Sequence, residues 1–193
     1  VYPDGIGVRL ASQMFGNGVE DNINGTDLFP LLCERLAKTG HSIFLLGARE
    51  GIAEATAENM QARYPGLKVA GCQHGYYSAD EEKAIIQKIN DSGAGVLLVA
   101  MGAPQQEAWI DRNREQLDTG ILMGVGGLFD FYSGRISRAP VWLREVGLEW
   151  TWRLLQEPGR MWRRYVVGNP LFLYRVWRQK IRNGSVAHPM NTT

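Results

Sequence analysis

The chain is poor in the residues that hold metals or form covalent links: two cysteines and three histidines in 193 residues. Cys33 and Cys72 are too few for a disulfide framework and lack metal-ligand spacing. Each follows an apolar stretch, Leu31-Leu32 before Cys33 and Val69-Ala70-Gly71 before Cys72, which predicts buried free thiols and fits a reducing compartment. His41, His74 and His188 form no ligand cluster, and no Asp-x-Asp pair occurs, so no metal is predicted. No apolar run approaches the ~20 residues of a membrane-crossing helix. The G-x-G-x-x-G fingerprint is absent, which leaves a nicotinamide-dependent oxidoreductase without its phosphate loop. G-x-S-x-G is absent too, which argues against an α/β-hydrolase.

What is present is unevenly spread. Net charge is +1 with 45% hydrophobic and 21% charged residues, an ordinary globular balance. Residues 1–134, however, carry 10 Lys/Arg against 17 Asp/Glu, a net of −7, while residues 135–193 carry 11 against 3, a net of +8. Five of the six tryptophans (142, 150, 152, 162 and 177) lie in that second part. An acidic body with a basic, aromatic tail points to a polyanion or an anionic membrane surface as the tail's partner.

Short apolar runs alternate with amphipathic stretches. Strands are predicted at Ser42–Gly47, Leu67–Cys72, Gly95–Met101 and Ile121–Val125, and helices at Thr26–Thr39, Gly51–Tyr64, Ala79–Asp91 and Pro104–Gln116. Ser78, with Glu81 three residues on, reads as a capping box. Continuous apolar strands alternating with helices argue for an α/β fold, a Rossmann-like parallel sheet with helices on both faces. Beyond Gly134 no strand is predicted. A helix from Arg138 to about Glu157, a short one from Pro158 and a third from Pro170 make a C-terminal helical appendage. The expected division is a body at 1–134, a membrane-docking appendage at 135–182 and a disordered tail at 183–193.

In such sheets ligands bind beyond the carboxyl ends of the strands. Asp4, in Pro3-Asp4-Gly5, reads either as a general base at a strand exit or as a turn residue capping the next helix. Gly102-Ala103-Pro104-Gln105-Gln106 opens a helix whose free N–H groups suit a diphosphate, with Gln106 donating to phosphate or sugar; a plain helix start is the other reading. Gly124-Val125-Gly126-Gly127 permits close backbone approach, and Gly47-Ala48-Arg49 is a weaker case; both are also ordinary tight turns. Asn22-Ile23-Asn24-Gly25-Thr26-Asp27 places polar groups at a helix start, with Thr26 or Asp27 as cap. His74, in a loop after a strand, is positioned to line the site. Arg153, Arg160 and Arg163 recur at helical spacing among apolar residues. They suit diphosphate oxygens, an anionic lipid surface, or a solvated basic face.

Several of these stretches in order resemble one family. They are Pro3-Asp4-Gly5-Ile6-Gly7, Gly25-Thr26-Asp27-Leu28, Phe44-Leu45-Leu46-Gly47, Gly75-Tyr76-Tyr77 and Gly102-Ala103-Pro104-Gln105-Gln106-Glu107-Ala108-Trp109. Gly124-Val125-Gly126-Gly127-Leu128-Phe129-Asp130, Arg138-Ala139-Pro140, Gly147-Leu148-Glu149-Trp150 and Arg153-Leu154-Leu155-Gln156-Glu157-Pro158-Gly159-Arg160 follow. The chain from Val1 to about Arg178 resembles the WecG/TagA/CpsF glycosyltransferases.

The resemblance implies inverting, metal-independent transfer without a cofactor. The donor would be a UDP-sugar of glucose or N-acetylmannosamine type, and the acceptor a sugar on undecaprenyl diphosphate, in surface polysaccharide synthesis. It implies a peripheral enzyme on the cytoplasmic face of the bacterial inner membrane, with no nucleic acid partner. The exposed tail surface suggests self-association off the membrane. Asp4 matches the catalytic base and Gln106 a polar catalytic-pocket residue. Asn22, Asn24, Gly47, Gly102, Gly126 and Gly127 fall in the expected substrate-binding set. Arg153, Arg160 and Arg163 match arginines that neutralise the UDP leaving group.

Members carry a further N-terminal βα portion with a Thr-Pro-Asn type motif, and this chain begins after it. Many also have Arg at the place of Asn22 and Thr at that of Asn24, which points to a different donor. An inactive membrane-docked scaffold or partner-binding fragment is the alternative.

Overall fold

The computed structural model describes residues 6–16, 25–145 and 148–184. In chain order the elements are α1 (Ile6–Met14), α2 (Gly25–Thr39), β1 (Ser42–Gly47), α3 (Ile52–Arg63) and β2 (Lys68–Gln73). A 3-10 turn (Ala79–Glu81) leads into α4 (Glu82–Asp91), followed by β3 (Val96–Ala100) and α5 (Gln105–Asn113), which ends in a 3-10 turn (Arg114–Gln116). Then come β4 (Ile121–Gly124), α6 (Leu128–Tyr132), α7 (Val141–Glu145), α8 (Glu149–Gln156) and α9 (Pro158–Trp162). A π-helical turn (Arg163–Gly168) joins α9 to α10 (Asn169–Gly184). Two compact units result. One is residues 25–137; the other draws on both ends of the chain, its described parts being 6–16, 138–145 and 148–184.

The first unit is an open sheet in the order β2-β1-β3-β4, with every pairing parallel. Parallel strands are joined by crossovers that cover both faces, so the central strands must be apolar at every position. In β3, all five residues Val96 to Ala100 are buried. Alternate side chains go to opposite faces. Ile43, Leu45, Val96 and Leu98 pack with Phe29 and Cys33 of α2, Ala53, Ala57 and Met60 of α3, and Leu128 and Phe129 of α6. Phe44, Leu46, Leu97 and Val99 pack with Ile85, Ile86 and Ile89 of α4 and Trp109 of α5. The Rossmann-like arrangement expected from the sequence is the one observed.

The start before α4 is also as expected. The Ser78 N–H and Oγ–H both donate to Glu81 Oε2, at 2.7 and 2.8 Å. These bonds, the backbone one first, hold the Glu81 carboxyl below its usual range. α2 begins one residue earlier than expected, at Gly25, so Thr26 and Asp27 lie in its first turn. The polar Asp27 there favours the positive end of the helix.

In the second unit the single helix expected from Arg138 to Glu157 is two, α7 and α8. Leu148 has φ −98 and ψ 18, outside the helix, and caps α8. Its N–H donates to Leu143 O at 2.8 Å, a 6→1 bond of the kind that closes a helix end. Conversely, the pieces expected from Pro158 and Pro170 are joined by the π turn. Pro170, the second residue of α10, follows directly on the π turn, so its missing N–H falls where the helical hydrogen-bond ladder changes register.

Candidate functional site

The order β2-β1-β3-β4 has a switch point between β1 and β3. The chain leaves β1 toward β2 on one side and then crosses to β3 on the other. Such a point opens a crevice beyond the strand ends. Three exits gather at this edge: Gly47-Ala48-Arg49 after β1, Met101-Gly102-Ala103-Pro104 after β3, and Val125-Gly126-Gly127 after β4.

The β1 exit is held from both sides. Ala48 N–H donates to Ala100 O at 2.8 Å, and Gly75 N–H donates to Ala48 O at 3.0 Å. Gly47, at φ 125, packs so tightly that a Cβ there would stand 2.5 Å from the Ala100 carbonyl carbon and oxygen. Ala48 follows with φ 58, alone among the described non-glycine residues in having positive φ. A left-handed alanine costs about 1 kcal/mol or more and is retained where surrounding structure fixes it, commonly at binding edges. Beyond this exit, Arg49, Glu50, His74 and Tyr76 line an open depression of about 390 Å³. His74 Nδ1 is buried there without a hydrogen-bond partner.

Gln106 joins the other two exits. Its side chain, 5% exposed, accepts from Gly102 N–H at 3.2 Å and from Gly126 N–H at 2.8 Å, both through Oε1. Nε2 donates to Glu107 Oε1 at 2.8 Å. Gln106 is itself uncharged, and the carboxylate it donates to, Glu107, belongs to an exposed residue.

The neighbouring α6 carries a buried charge, to which sequence reasoning assigns no separate role. Asp130, 5% exposed, accepts from Arg135 Nε–H through Oδ1 at 2.8 Å. α6 is fixed beside the sheet by Thr56 Oγ–H donating to Phe129 O at 3.1 Å and Asn59 Nδ2–H to Tyr132 O at 2.9 Å. The signal in the sequence is a carboxylate inside the apolar run Leu128-Phe129-Asp130-Phe131, which burial tolerates only with a partner.

Of the expected site residues, Gly47, Gly102, Gly126, Gly127 and Gln106 are brought to one edge of the unit 25–137. Asp4, Asn22 and Asn24 lie outside the described residues. Arg153, Arg160 and Arg163 belong to the second unit. Arg153 on α8 has its Nε 3.9 Å from Glu157 Oε2, both side chains mostly buried. Arg160 lies in α9. The Arg163 guanidinium stands 5.4 Å from the centre of the Trp162 ring, a cation–π distance. The thiols lie elsewhere: burial pushes Cys33 up to about 12 and Cys72, half-buried, up to about 11. Among the described residues no three His, Cys, Asp or Glu side chains group as a metal ion would need.

The class defined by this fold is a Rossmann-like α/β protein whose glycine-rich strand exits meet at one edge, extended by a helical unit. A sequence model described as "Glycosyl transferase WecG/TagA/CpsF family" matches residues 1–186. The chain is 35% identical over 164 residues to an N-acetylglucosaminyldiphosphoundecaprenol N-acetyl-beta-D-mannosaminyltransferase of Bacillus spizizenii. It is 34% identical over 164 residues to a protein of the same description from Bacillus subtilis. Each comparison covers 85% of this chain and 63% of the relative. The chain belongs to the WecG/TagA/CpsF glycosyltransferase family, and it spans about 63% of the length of these relatives.

Proposed function

We propose that this chain is the greater part of an inverting glycosyltransferase. It moves a sugar from a UDP-sugar to an acceptor on undecaprenyl diphosphate at the cytoplasmic face of the inner membrane. One observation carries the reading: the family match runs over residues 1–186, through both units, and includes Asp4, the strand exits and the tail arginines. The names of both relatives, which specify an N-acetylmannosaminyl group and a diphosphoundecaprenol acceptor, support a donor of N-acetylmannosamine type. Glucose stays a candidate on account of Asn22.

Asp4 takes the proton of the acceptor hydroxyl as that oxygen attacks the anomeric carbon. The bond from that carbon to the diphosphate oxygen breaks, and UDP leaves with the electron pair. Developing charge on a diphosphate is best met by guanidinium groups, which offer bidentate hydrogen bonds. Arg153, Arg160 and Arg163 take that role, so the reaction is assigned neither metal nor cofactor. The exits at Gly47, Gly102, Gly126 and Gly127, with Asn22 and Asn24, hold donor and acceptor. The division proposed is a catalytic body at 1–134 and a docking appendage at 135–182. Among the described residues no helix is long and apolar enough to cross a membrane. The second unit nonetheless exposes Trp142, Leu155, Trp162, Val166 and Trp177. Apolar side chains of this size among arginines suit a peripheral surface contact.

The test is UDP release by the full-length protein on vesicles carrying undecaprenyl diphosphate-linked N-acetylglucosamine. UDP-N-acetylmannosamine and UDP-glucose are offered in turn. Release that needs both acceptor and vesicle is expected. Asp4→Asn should abolish turnover and keep UDP binding; a fully active Asp4→Asn protein removes the base from this scheme.

A further inference from the structure

The amides of Gly102 and Gly126 face the same atom. Both N–H groups donate to Gln106 Oε1, at 3.2 and 2.8 Å. Neither bond is local to a strand: one turns the β3 exit back onto α5, and the other crosses twenty residues to the β4 exit. The two exits are adjacent because β3 and β4 pair, with Val99 opposite Gly124. Gly102 (φ 81) and Gly126 (φ 59) are both left-handed, so their amides turn away from the strand ladder and need another acceptor. The side chain meeting them is nearly fully buried. It fits because Gly124 leaves the space: a Cβ there would lie 2.7 Å from Gln106 Nε2.

We infer that Gln106 is a positioning residue, a strut that sets the gap between the β3 and β4 exits, rather than a group that donates to sugar or phosphate. The carbonyl end is occupied by two backbone amides. The amide end donates to Glu107 Oε1 at 2.8 Å. What faces the ligand is then the glycine backbone that the strut holds in place. A buried, doubly accepting side-chain oxygen is costly to remove, because two half-buried amides lose their partner at once.

Three changes separate the roles. Gln106→Leu removes the acceptor and keeps approximate volume. Gln106→Glu with Glu107→Gln keeps an oxygen for both amides and restores a donor at the neighbouring position. Gly124→Ala displaces the strut without altering it. Backbone amide exchange at Gly102 and Gly126, followed by NMR, reads the bonds directly. It does not depend on the transferase reading; turnover by the full-length protein does.

Loss of one hydrogen bond corresponds to ~5–10-fold faster exchange at each amide. That acceleration is expected in Gln106→Leu and in Gly124→Ala, and not in the double variant. Turnover should follow the same order, falling in kcat with less change in donor KM. The inference is overturned if exchange at both glycines is the same in Gln106→Leu as in the parent. It is equally overturned if the double variant keeps slow exchange but loses as much turnover as Gln106→Leu. Should Gln106→Leu not fold, the exchange comparison between Gly124→Ala and the double variant decides.

Discussion

The side chain of Gln106 lies over Gly124 so closely that a Cβ on the glycine would stand 2.7 Å from Nε2 and 3.0 Å from Cδ. The glycine's role here is to be absent, since Gln106 is anchored by both amide bonds and has little room to move. Gly124→Ala should destabilise by about 1–3 kcal/mol through overpacking. In a Gln106→Ala background the same change should cost much less, because the clash is gone. Urea denaturation of the four proteins of this cycle measures the coupling. Additive effects would show that the two positions do not compete for space.

The last residue of β1 and the one that follows it make opposite demands. Gly47 has a positive φ and backbone atoms 2.5 Å from where a Cβ would be, so Gly47→Ala meets a rigid obstacle as well as a strained conformation. A cost of about 3 kcal/mol or more is expected, large enough to lower soluble yield. Ala48 has φ 58 and carries the Cβ that this conformation disfavours. Ala48→Gly relieves strain while giving the unfolded chain more freedom, so it should be neutral or stabilising by up to about 1 kcal/mol. A Tm that falls for Gly47→Ala and holds or rises for Ala48→Gly is the expected pair of results.

Both thiols are held neutral in the folded protein, Cys33 up to about 12 and Cys72 up to about 11, chiefly by burial. The thiolate is the reactive form, so a disulfide reagent at pH 8 should label neither quickly until urea is added. Stability follows from the same shifts. Below the unfolded value of 9.0 both states hold the proton and pH has no effect through these groups. Above it the unfolded chain ionises while the folded one does not, so stability should fall from about pH 9 toward 12. Cys33→Ser and Cys72→Ser proteins, compared with the parent by denaturation at pH 8 and pH 10, separate this contribution from the rest.

The sheet was readable because burial on both faces requires uninterrupted apolar strands, and Ile43 to Leu46 and Val96 to Ala100 show that directly. The capping box at Ser78 was readable because its chemistry is local, confined to four residues. The break between α7 and α8 was not: Trp142, Leu143 and Trp150 keep helical spacing through it, and spacing alone does not register the turn closed by Leu148. The candidate site was legible in its position, as a set of glycine-rich strand exits. Its internal connections were less so. The bond from Gly126 to Gln106 spans twenty residues and depends on β3 and β4 being neighbours. The positive φ of Ala48 leaves no trace in the residue type, since alanine rarely adopts it.

Asp130 and Arg135 offer a test of a buried charge. The Asp130 side chain is 7% exposed and that of Arg135 29%, with 2.8 Å between Oδ1 and Nε. Removing the cation takes from a mostly buried carboxylate the guanidinium that stands 2.8 Å away, whereas replacing both partners by apolar groups removes the buried charge as well. Arg135→Met should therefore cost about 1–3 kcal/mol, discounted for the exposure of the arginine, and Asp130→Leu with Arg135→Met should cost less. Equal losses in the single and double variants would show that the arginine contributes by packing alone.

The second unit carries the prediction about the membrane. Trp162 is 46% exposed and Trp177 52%, each with arginines nearby in sequence. An indole that moves from water into the headgroup boundary removes apolar area from solvent, and a large side chain is worth about 1.5–3 kcal/mol when fully buried. Partial insertion makes ~10-fold weaker partitioning a reasonable expectation for Trp177→Ala on vesicles with anionic lipid. Raising the salt concentration should weaken binding of parent and variant alike, because it screens the arginines and leaves the apolar contact untouched. Sedimentation with vesicles at two salt concentrations separates the two contributions. Binding that falls with salt but is indifferent to Trp177→Ala would assign the surface to charge alone. Binding that ignores salt and weakens in Trp177→Ala would assign it to insertion.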